Sequence, residues 1–413
     1  MSDERSISPG SIKVNSIILS TGKAEIDITN FVLQCEIFES IMSPIITGTL
    51  MISDASSIDE SMVLSGDEFL KIDIETPGLD DEDFKRKAVF FVYKIEGREN
   101  INLKNVIYTI DFMSPEGIID NQTKISKTFI GKPSDIARKI LSSSIGLETD
   151  KKVLIENTTS TISYTSNFWT PFQNIYYLTD KAINIKNNPN FVFFENRLGY
   201  VLASIDVLLS KPSTQHFTRD SHTRIEGSES VDIEYGKILD MSTPVLFDQI
   251  KRIEEGFYGG SVYNFSINNK KLNFMNTDAN KYSQTTMNDK SPMNIMFSSK
   301  GNLYTQLLHS SKHRIDPSVK PIDLSLSRMS LLKRIEHFKT NIQVMGRLDY
   351  TVGDTVSLTI YSDKHTEKED TNDEIINNVL SGTYLVTGIK HIFNRNSHKC
   401  SLEICKDSII NNV

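Results

Sequence analysis

Cysteine is scarce in this chain: Cys35, Cys400 and Cys405 are the only three among 413 residues. So few thiols offer no disulfide framework and fit a reducing compartment. Long apolar runs are also missing, so nothing has the length of a membrane span. The opening Met1-Ser-Asp-Glu-Arg5 lacks the basic-then-apolar layout of a signal peptide. A chain made and folded in a cytosol, with no stable membrane association, is expected. Positive charge is in deficit, with 45 Lys and Arg against 53 Asp and Glu for a net charge of −8. That balance argues against a general nucleic-acid binder, which would carry a basic face. It would suit a surface that nucleic acid passes without sticking, although ordinary solubility accounts for the net charge by itself.

Motifs of catalysis are missing too. No Gly-x-Ser-x-Gly, phosphate-cradling glycine loop, His-Glu-x-x-His or Cys-x-x-Cys pair occurs. His391, His398, Cys400 and Cys405 cluster in sequence and suggest zinc. Cys400 and Cys405, however, lie an odd number of residues apart on one strand and point to opposite faces, so no metal site is expected. Trp169, Tyr176 and Tyr177 could stack on a sugar, but aromatics at helical spacing are more often core. Glu254 and Glu255, adjacent on a helix, do not face each other as a glycosidase acid pair would. Asp80-Asp-Glu-Asp83 lacks the alternating Asp spacing and the glycine of a calcium loop. The expectation is a protein with no catalytic residues and no cofactor.

What the chain does have is period-two patterning at both ends. From Thr340 to Ser408 the chain opens with Ile342, Val344, Gly346 and Leu348 at every second position, the period of a half-buried strand. The turn Tyr350-Thr-Val-Gly353-Asp354 precedes Val356, Leu358 and Ile360. Then come Gly382-to-Ile389, the turn Asn394-Arg-Asn-Ser397 and Cys400-to-Ile404. About four β-branched strands joined by turns predict a small antiparallel barrel or sandwich. A similar layout stands near the other end: Gly66-Asp67 before Phe69-to-Ile74, then Phe90-to-Ile95, Gly97-to-Asn100 and Val106-to-Phe112. The registers disagree by one residue after Gly-Asp, yet the pattern reads as one β-unit used twice.

Between these ends the period changes. Ile12 to Ile28 suggest strands around a turn at Ser20–Lys23, and Pro44 should break the strands that flank it. Ser134 or Asp135 can cap a helix whose inner face holds Ile136, Ile140 and Leu141. Thr170 caps a second, with Pro171 at its first position and Phe172, Ile175 and Leu178, or Tyr176 and Tyr177, inward. Phe191-to-Phe194 and Gly199-to-Ala203 form a hairpin turning at Asn196. Residues 210–221, with His216 and then His222, read as a linker. A strand at Val231–Tyr235 follows, then a helix from Pro244 to Ile253, a strand at Gly259–Phe265 and a helix at Leu331–Phe338. The expected layout is a flexible 1–10, a first β-domain over 11–120 and an inserted α+β domain over 121–224. A second β-domain is split between 225–275 and 322–408 around an insertion at 276–321, with a tail at 409–413.

Phe38-Glu-Ser-Ile-Met-Ser-Pro44, Thr47-to-Asp54, Gly66-Asp67, Thr128-to-Ile136 and Trp169-Thr-Pro-Phe172 together resemble the baseplate hub protein of contractile-tailed phages. Leu331-to-Phe338 with Gly353-Asp-Thr-Val-Ser-Leu358 resembles the second tube domain of that family. The resemblance spans residues 12–408 in order. It implies an α+β, mainly β fold: two similar antiparallel β-barrel tube domains with inserted α+β domains, closed as a homotrimeric, pseudo-sixfold ring. Implied partners are other copies of this chain, a separate central spike protein, tail tube or tube-initiator proteins and surrounding baseplate wedge proteins. DNA would pass through without specific binding, and the location would be the virion baseplate. The alternatives are the same part in a tailocin or other contractile injection device, and a cell-wall glycan-binding or hydrolytic tail protein. The loop from Tyr361 to Leu380 is longer than a hairpin needs. Its apolar end, Ile375, Ile376, Val379 and Leu380, is the expected assembly interface.

Overall fold

The computed structural model describes residues 8–22, 24–55, 66–79, 81–102, 105–219 and 234–245, shorter stretches between 248 and 335, and residues 338–361 and 376–409. The fold is mainly β. The first unit contains β1 (Lys13–Thr21), β2 (Ala24–Asp27), β3 (Val32–Ser40), β4 (Thr47–Asp54), β5 (Phe69–Glu75), β6 (Lys85–Asn102) and β7 (Asn105–Met113). Period two decides which side chains face in: Leu50 and Ile52 are buried while Met51 between them is exposed. Pro44, with no N–H to give a ladder, sits in the gap between β3 and β4.

A mixed region follows: α1 (Glu116–Gln122), β8 (Thr128–Gly131), α2 (Pro133–Ser142), β9 (Val153–Ile155), β10 (Ile162–Thr165), α3 (Pro171–Lys181), β11 (Phe191–Asn196), β12 (Gly199–Ser204) and α4 (Ile205–Leu209). Thr170 caps α3 in a reciprocal box with Gln173, and Pro171 takes the first helical position. The cap of α2 differs from expectation. Lys132 holds that place with no side-chain bond, and Pro133 rather than Ser134 or Asp135 opens the helix. Ile136, Ile140 and Leu141 do face inward.

The rest of the chain carries β13 (Ser213–Arg219), β14 (Ile238–Val245), α5 (Gln249–Glu254), β15 (Gly259–Ser266), β16 (Lys271–Asp278), β17 (Leu303–Leu308), β18 (Arg314–Ile315), β19 (Phe338–Met345), β20 (Thr355–Ile360), β21 (Gly382–Asn394) and β22 (His398–Lys406). Strands β13, β14 and β19–β22 make the second unit, β15–β17 form a sheet of their own, and β18 pairs with β10 of the mixed region. The stretch read as a linker is therefore a strand: β13 runs parallel to β20 and buries Phe217. Its polar outer residues masked the pattern, with His216 bonding Ser357 at 2.8 Å. The helix expected from Pro244 starts later. Pro244 lies within β14, at a break in its register with β19, where a residue lacking N–H is tolerated. Glu234 and Tyr235 are helical rather than extended, and residues 231–233 lie outside the described ones. Phe338, expected at a helix end, opens strand β19.

One thirteen-stranded sheet runs through both units. It contains two six-stranded arrays of the same order, β3-β4-β7-β6-β5-β1 and β14-β19-β22-β21-β20-β13, with β20 and β13 branching from β21. Corresponding strands follow the same sequence order in each. The likeness extends to register. Leu70 opposes Phe90 in the first unit as Val356 opposes Tyr384 in the second. Each unit then carries a bulge at the same point, with Tyr93 the extra residue in β6 and Thr387 in β21. On this register Glu68, not Asp67, corresponds to Asp354, which accounts for the one-residue disagreement in the sequence. Gly66 and Gly353 both adopt positive φ, +93° and +84°, which only glycine takes without strain. One difference stands out: β1 pairs antiparallel with β5, whereas β13 pairs parallel with β20.

Each unit has its own apolar core, and a third lies in the mixed region. The hairpin β11–β12 is buried along its whole length because its faces serve different cores. Phe191, Phe193, Tyr200 and Leu202 pack on α2 and α3, while Val192, Phe194, Val201 and Ala203 join the core of the second unit.

Candidate assembly site

The foot of the long loop is built by β20, β21 and β22. Tyr361 bridges Ile376 at the loop's base, and Asn377 donates its N–H to the carbonyl of Ile360 at 2.8 Å. The Asn377 side chain accepts from the N–H groups of Val379 and Leu380. From β22 the Lys406 amine donates to the carbonyls of Val379 at 2.7 Å and Ser381 at 2.9 Å. It also lies against the Tyr384 ring. Burial pushes its pKa down to about 7. These bonds fix the apolar residues in different directions: Ile376 and Val379 are 43% and 40% exposed, while Leu380 turns inward against the core of the second unit. Ile375 and residues 362–374 lie outside the described residues. Two of the four residues expected at an interface thus present apolar surface.

The two units meet where β3 pairs antiparallel with β21, from Gln34↔Asn394 to Ser40↔Gly388. Across this seam Lys390 pairs with Glu36 at 2.8 Å. Deeper in, Arg86 and Glu39 form a buried ion pair at 2.8 Å, and Thr351 of the second unit donates to the same Glu39 carboxylate. Lys151 joins the mixed region to the first unit's exit, meeting Glu116 and Glu195 at 2.6 Å each. Glu195 accepts from the N–H of Ile46 in turn, and burial raises its carboxyl pKa.

Behind the seam, β21 and β22 bring three donor atoms together. His391 Nδ1 lies 3.0 Å from His398 Nε2, and Cys400 Sγ lies 3.2 Å from the first and 3.4 Å from the second. All three residues are buried. Burial lowers the pKa of His391 well below its ordinary value and that of His398 to about 3, and raises that of the Cys400 thiol. Cys405 lies apart from this group, beside Thr387 at 3.5 Å, as its odd spacing from Cys400 requires. The turn at Asn394–Ser397 sets His391 opposite Cys400, and His398 is on the same face two residues earlier.

The remaining sequence candidates are built into the fold. Trp169 and Tyr177 pack on the core of the mixed region, with Tyr177 4.8 Å from the Tyr164 ring centre. Tyr176 is partly exposed. Glu255 pairs with Lys333 at 3.3 Å, and Asp83 with Arg197 at 3.1 Å.

No family model matches the sequence, and no curated protein sequence matches it significantly. Solved structures do. A tail protein from Neisseria meningitidis MC58 is 10% identical, with 95% of this chain and 96% of that one covered at a TM-score of 0.52. The 43 kDa tail protein of prophage MuSo2 from Shewanella oneidensis is 8% identical, with 95% and 99% covered at a TM-score of 0.55. The chain has the fold of these tail proteins. A type VI secretion component of E. coli aligns more loosely, at 8% identity and a TM-score of 0.42, over 96% of this chain and 76% of its own. With the two tail proteins the shared fold takes in 95% of this chain in each case.

Proposed function

We propose that this protein is the baseplate hub of a contractile phage tail, a homotrimer that joins a trimeric central spike to a hexameric tube. The observation that carries this reading is the repetition of one six-stranded array, in strand order, register and bulge, on a single chain. A threefold part must present six like surfaces to meet a sixfold one. Two equivalent arrays per chain provide them when three chains close into a ring, and closed cyclic symmetry is the usual outcome for identical subunits. The fold of the two tail proteins supports the same setting. On this reading each array is a tube domain, the ring encloses the DNA channel, and the protein acts as an adaptor without catalysis. Its partners are the spike, the first tube ring and the surrounding wedge proteins. Ile376 and Val379, exposed at the foot of the long loop, belong to the tube-facing contacts. Light scattering on the purified chain tests the assembly. Three times the 46.8 kDa chain mass is expected, and a monomer that persists with the spike protein present would contradict it.

A further inference from the structure

We propose that His391, His398 and Cys400 form a buried metal site for one thiophilic d10 cation, Zn²⁺ or Cu⁺, behind the seam between the two units. Three side chains of the right chemistry converge: the two imidazole nitrogens and the sulfur lie within 3.0 to 3.4 Å of one another. Bonds of about 2.0–2.1 Å to nitrogen and about 2.3 Å to sulfur reach a common point from this triangle. The angles at that point come to roughly 95–105°, the pyramidal cap of a three- or four-coordinate ion. Thiolate and imidazole together select zinc or cuprous copper over the hard cations. Among the described residues no fourth His, Cys, Asp or Glu donor joins the group. Three such donors suit three-coordinate copper, or zinc with one further ligand.

The surroundings hold the donors in this arrangement. Phe393 stacks on His398 with ring centres 4.4 Å apart and lies parallel to His391 at 5.8 Å. Gly346 provides the space, because a Cβ there would stand 2.2 Å from the His398 ring. The equivalent position in the first unit carries Asp54, and Cys400 is matched there by Tyr108, so the triad belongs to the second unit alone. The outward nitrogens, His391 Nε2 and His398 Nδ1, have no protein partner. Ligating histidines are ordinarily braced from behind by such a bond, and its lack lowers affinity by about 10- to 100-fold. The expected site is therefore one that a strong chelator empties. Binding would convert the thiol to a thiolate, with its proton released to solvent. The ion would join β21 to β22 at the residue where β21 also pairs with Ile37 of β3. Its consequence is a stiffer seam.

The test uses the full-length protein, stripped with a chelator under reducing conditions and then titrated with Co²⁺. One equivalent per chain should bind, with thiolate-to-cobalt charge-transfer absorption and the d–d bands of a low-coordinate ion. Titration with Zn²⁺, and anaerobically with Cu⁺, each against a chromophoric chelator, identifies the tighter ion, and either outcome supports the site. Cys400→Ser and His391→Gln should abolish the charge-transfer band, while Cys405→Ser keeps it. Stripped wild-type protein that is folded by circular dichroism yet binds none of the three ions overturns the proposal without recourse to a variant. A cobalt band that survives in Cys400→Ser overturns it as well.

Discussion

Val92 and Val386 occupy the same place in the two units. Each donates its N–H to the residue ahead of the neighbouring strand, Val92 to Glu68 at 3.0 Å and Val386 to Asp354 at 2.8 Å. Each is followed by the single extra residue of a bulge, Tyr93 or Thr387. A bulge bends its strand and sharpens the twist, so two bulges at one register give two arrays the same curvature.

Deleting Thr387 removes the second bulge. Val386 and Gly388 already face the consecutive residues Ile404 and Glu403, so the ladder closes without a slip. What is lost is the bend, with the carbonyl that accepts the N–H of Ile41. The deletion is expected to fold with a lowered midpoint in urea, whereas Thr387→Val should lose less. Equal stability of the deletion and the wild type would contradict a structural role for the bulge.

Glu39→Ala should be costly. It leaves Arg86 charged and unpaired inside the first unit and strips Thr351 of its acceptor. Breaking a buried pair from one side costs about 3–5 kcal/mol. Denaturant unfolding of Glu39→Ala against Glu39→Ala/Arg86→Met checks the cause, because the double variant should recover part of the loss.

Lys406 gives a pH dependence of known sign. Its folded pKa, about 7, lies below its ordinary value, so between those two pH values the unfolded chain binds the proton and the folded chain does not. Stability contributed through this group therefore rises with pH from about 7 upward and is least below it. The stability difference between wild type and Lys406→Met should grow in favour of wild type from pH 6 to pH 9, a range set about that same pKa. A flat difference would mean that the amine stays charged on the carbonyls of Val379 and Ser381.

Ile376 and Val379 separate assembly from folding. Both are exposed, so Ile376→Ser/Val379→Ser should leave the melting temperature within about 1 °C, as surface changes do. On the proposed function it should reduce the yield of tubes assembled on baseplates. Leu380→Ala should do the reverse, lowering stability because Leu380 packs inward. Normal tails from the double serine variant would remove the loop's foot from the interface.

Much of the β architecture was legible in the sequence because alternation survives wherever one face is buried. Leu50–Ile52 and Ile342–Val344 are examples. A glycine turn before β5 and before β20 was legible because only glycine takes the conformation of Gly66 and Gly353, although the two stand one residue apart in register. Three features were not. Strand β13 is polar on its outer face and buries chiefly Phe217, so its composition is that of a linker. Strand β14 carries Pro244 at a register break, which reads as a helix start. The His391–His398–Cys400 group was within reach, since the turn at Asn394–Ser397 fixes which residues oppose each other. Spacing along one strand separates Cys400 from Cys405, but the geometry that gathers the group runs across the hairpin, where His391 opposes Cys400. Assembly residues left no comparable signal, because exposure and not residue type separates Val379 from Leu380.

Electron microscopy of the purified, assembled protein tests the proposed hub most directly. Averages viewed down the channel should contain a threefold ring whose wall repeats six times, with β3–β7 and β19–β22 of each chain in alternating, superimposable positions. A ring with three wall elements, or a particle with no channel, would contradict the account.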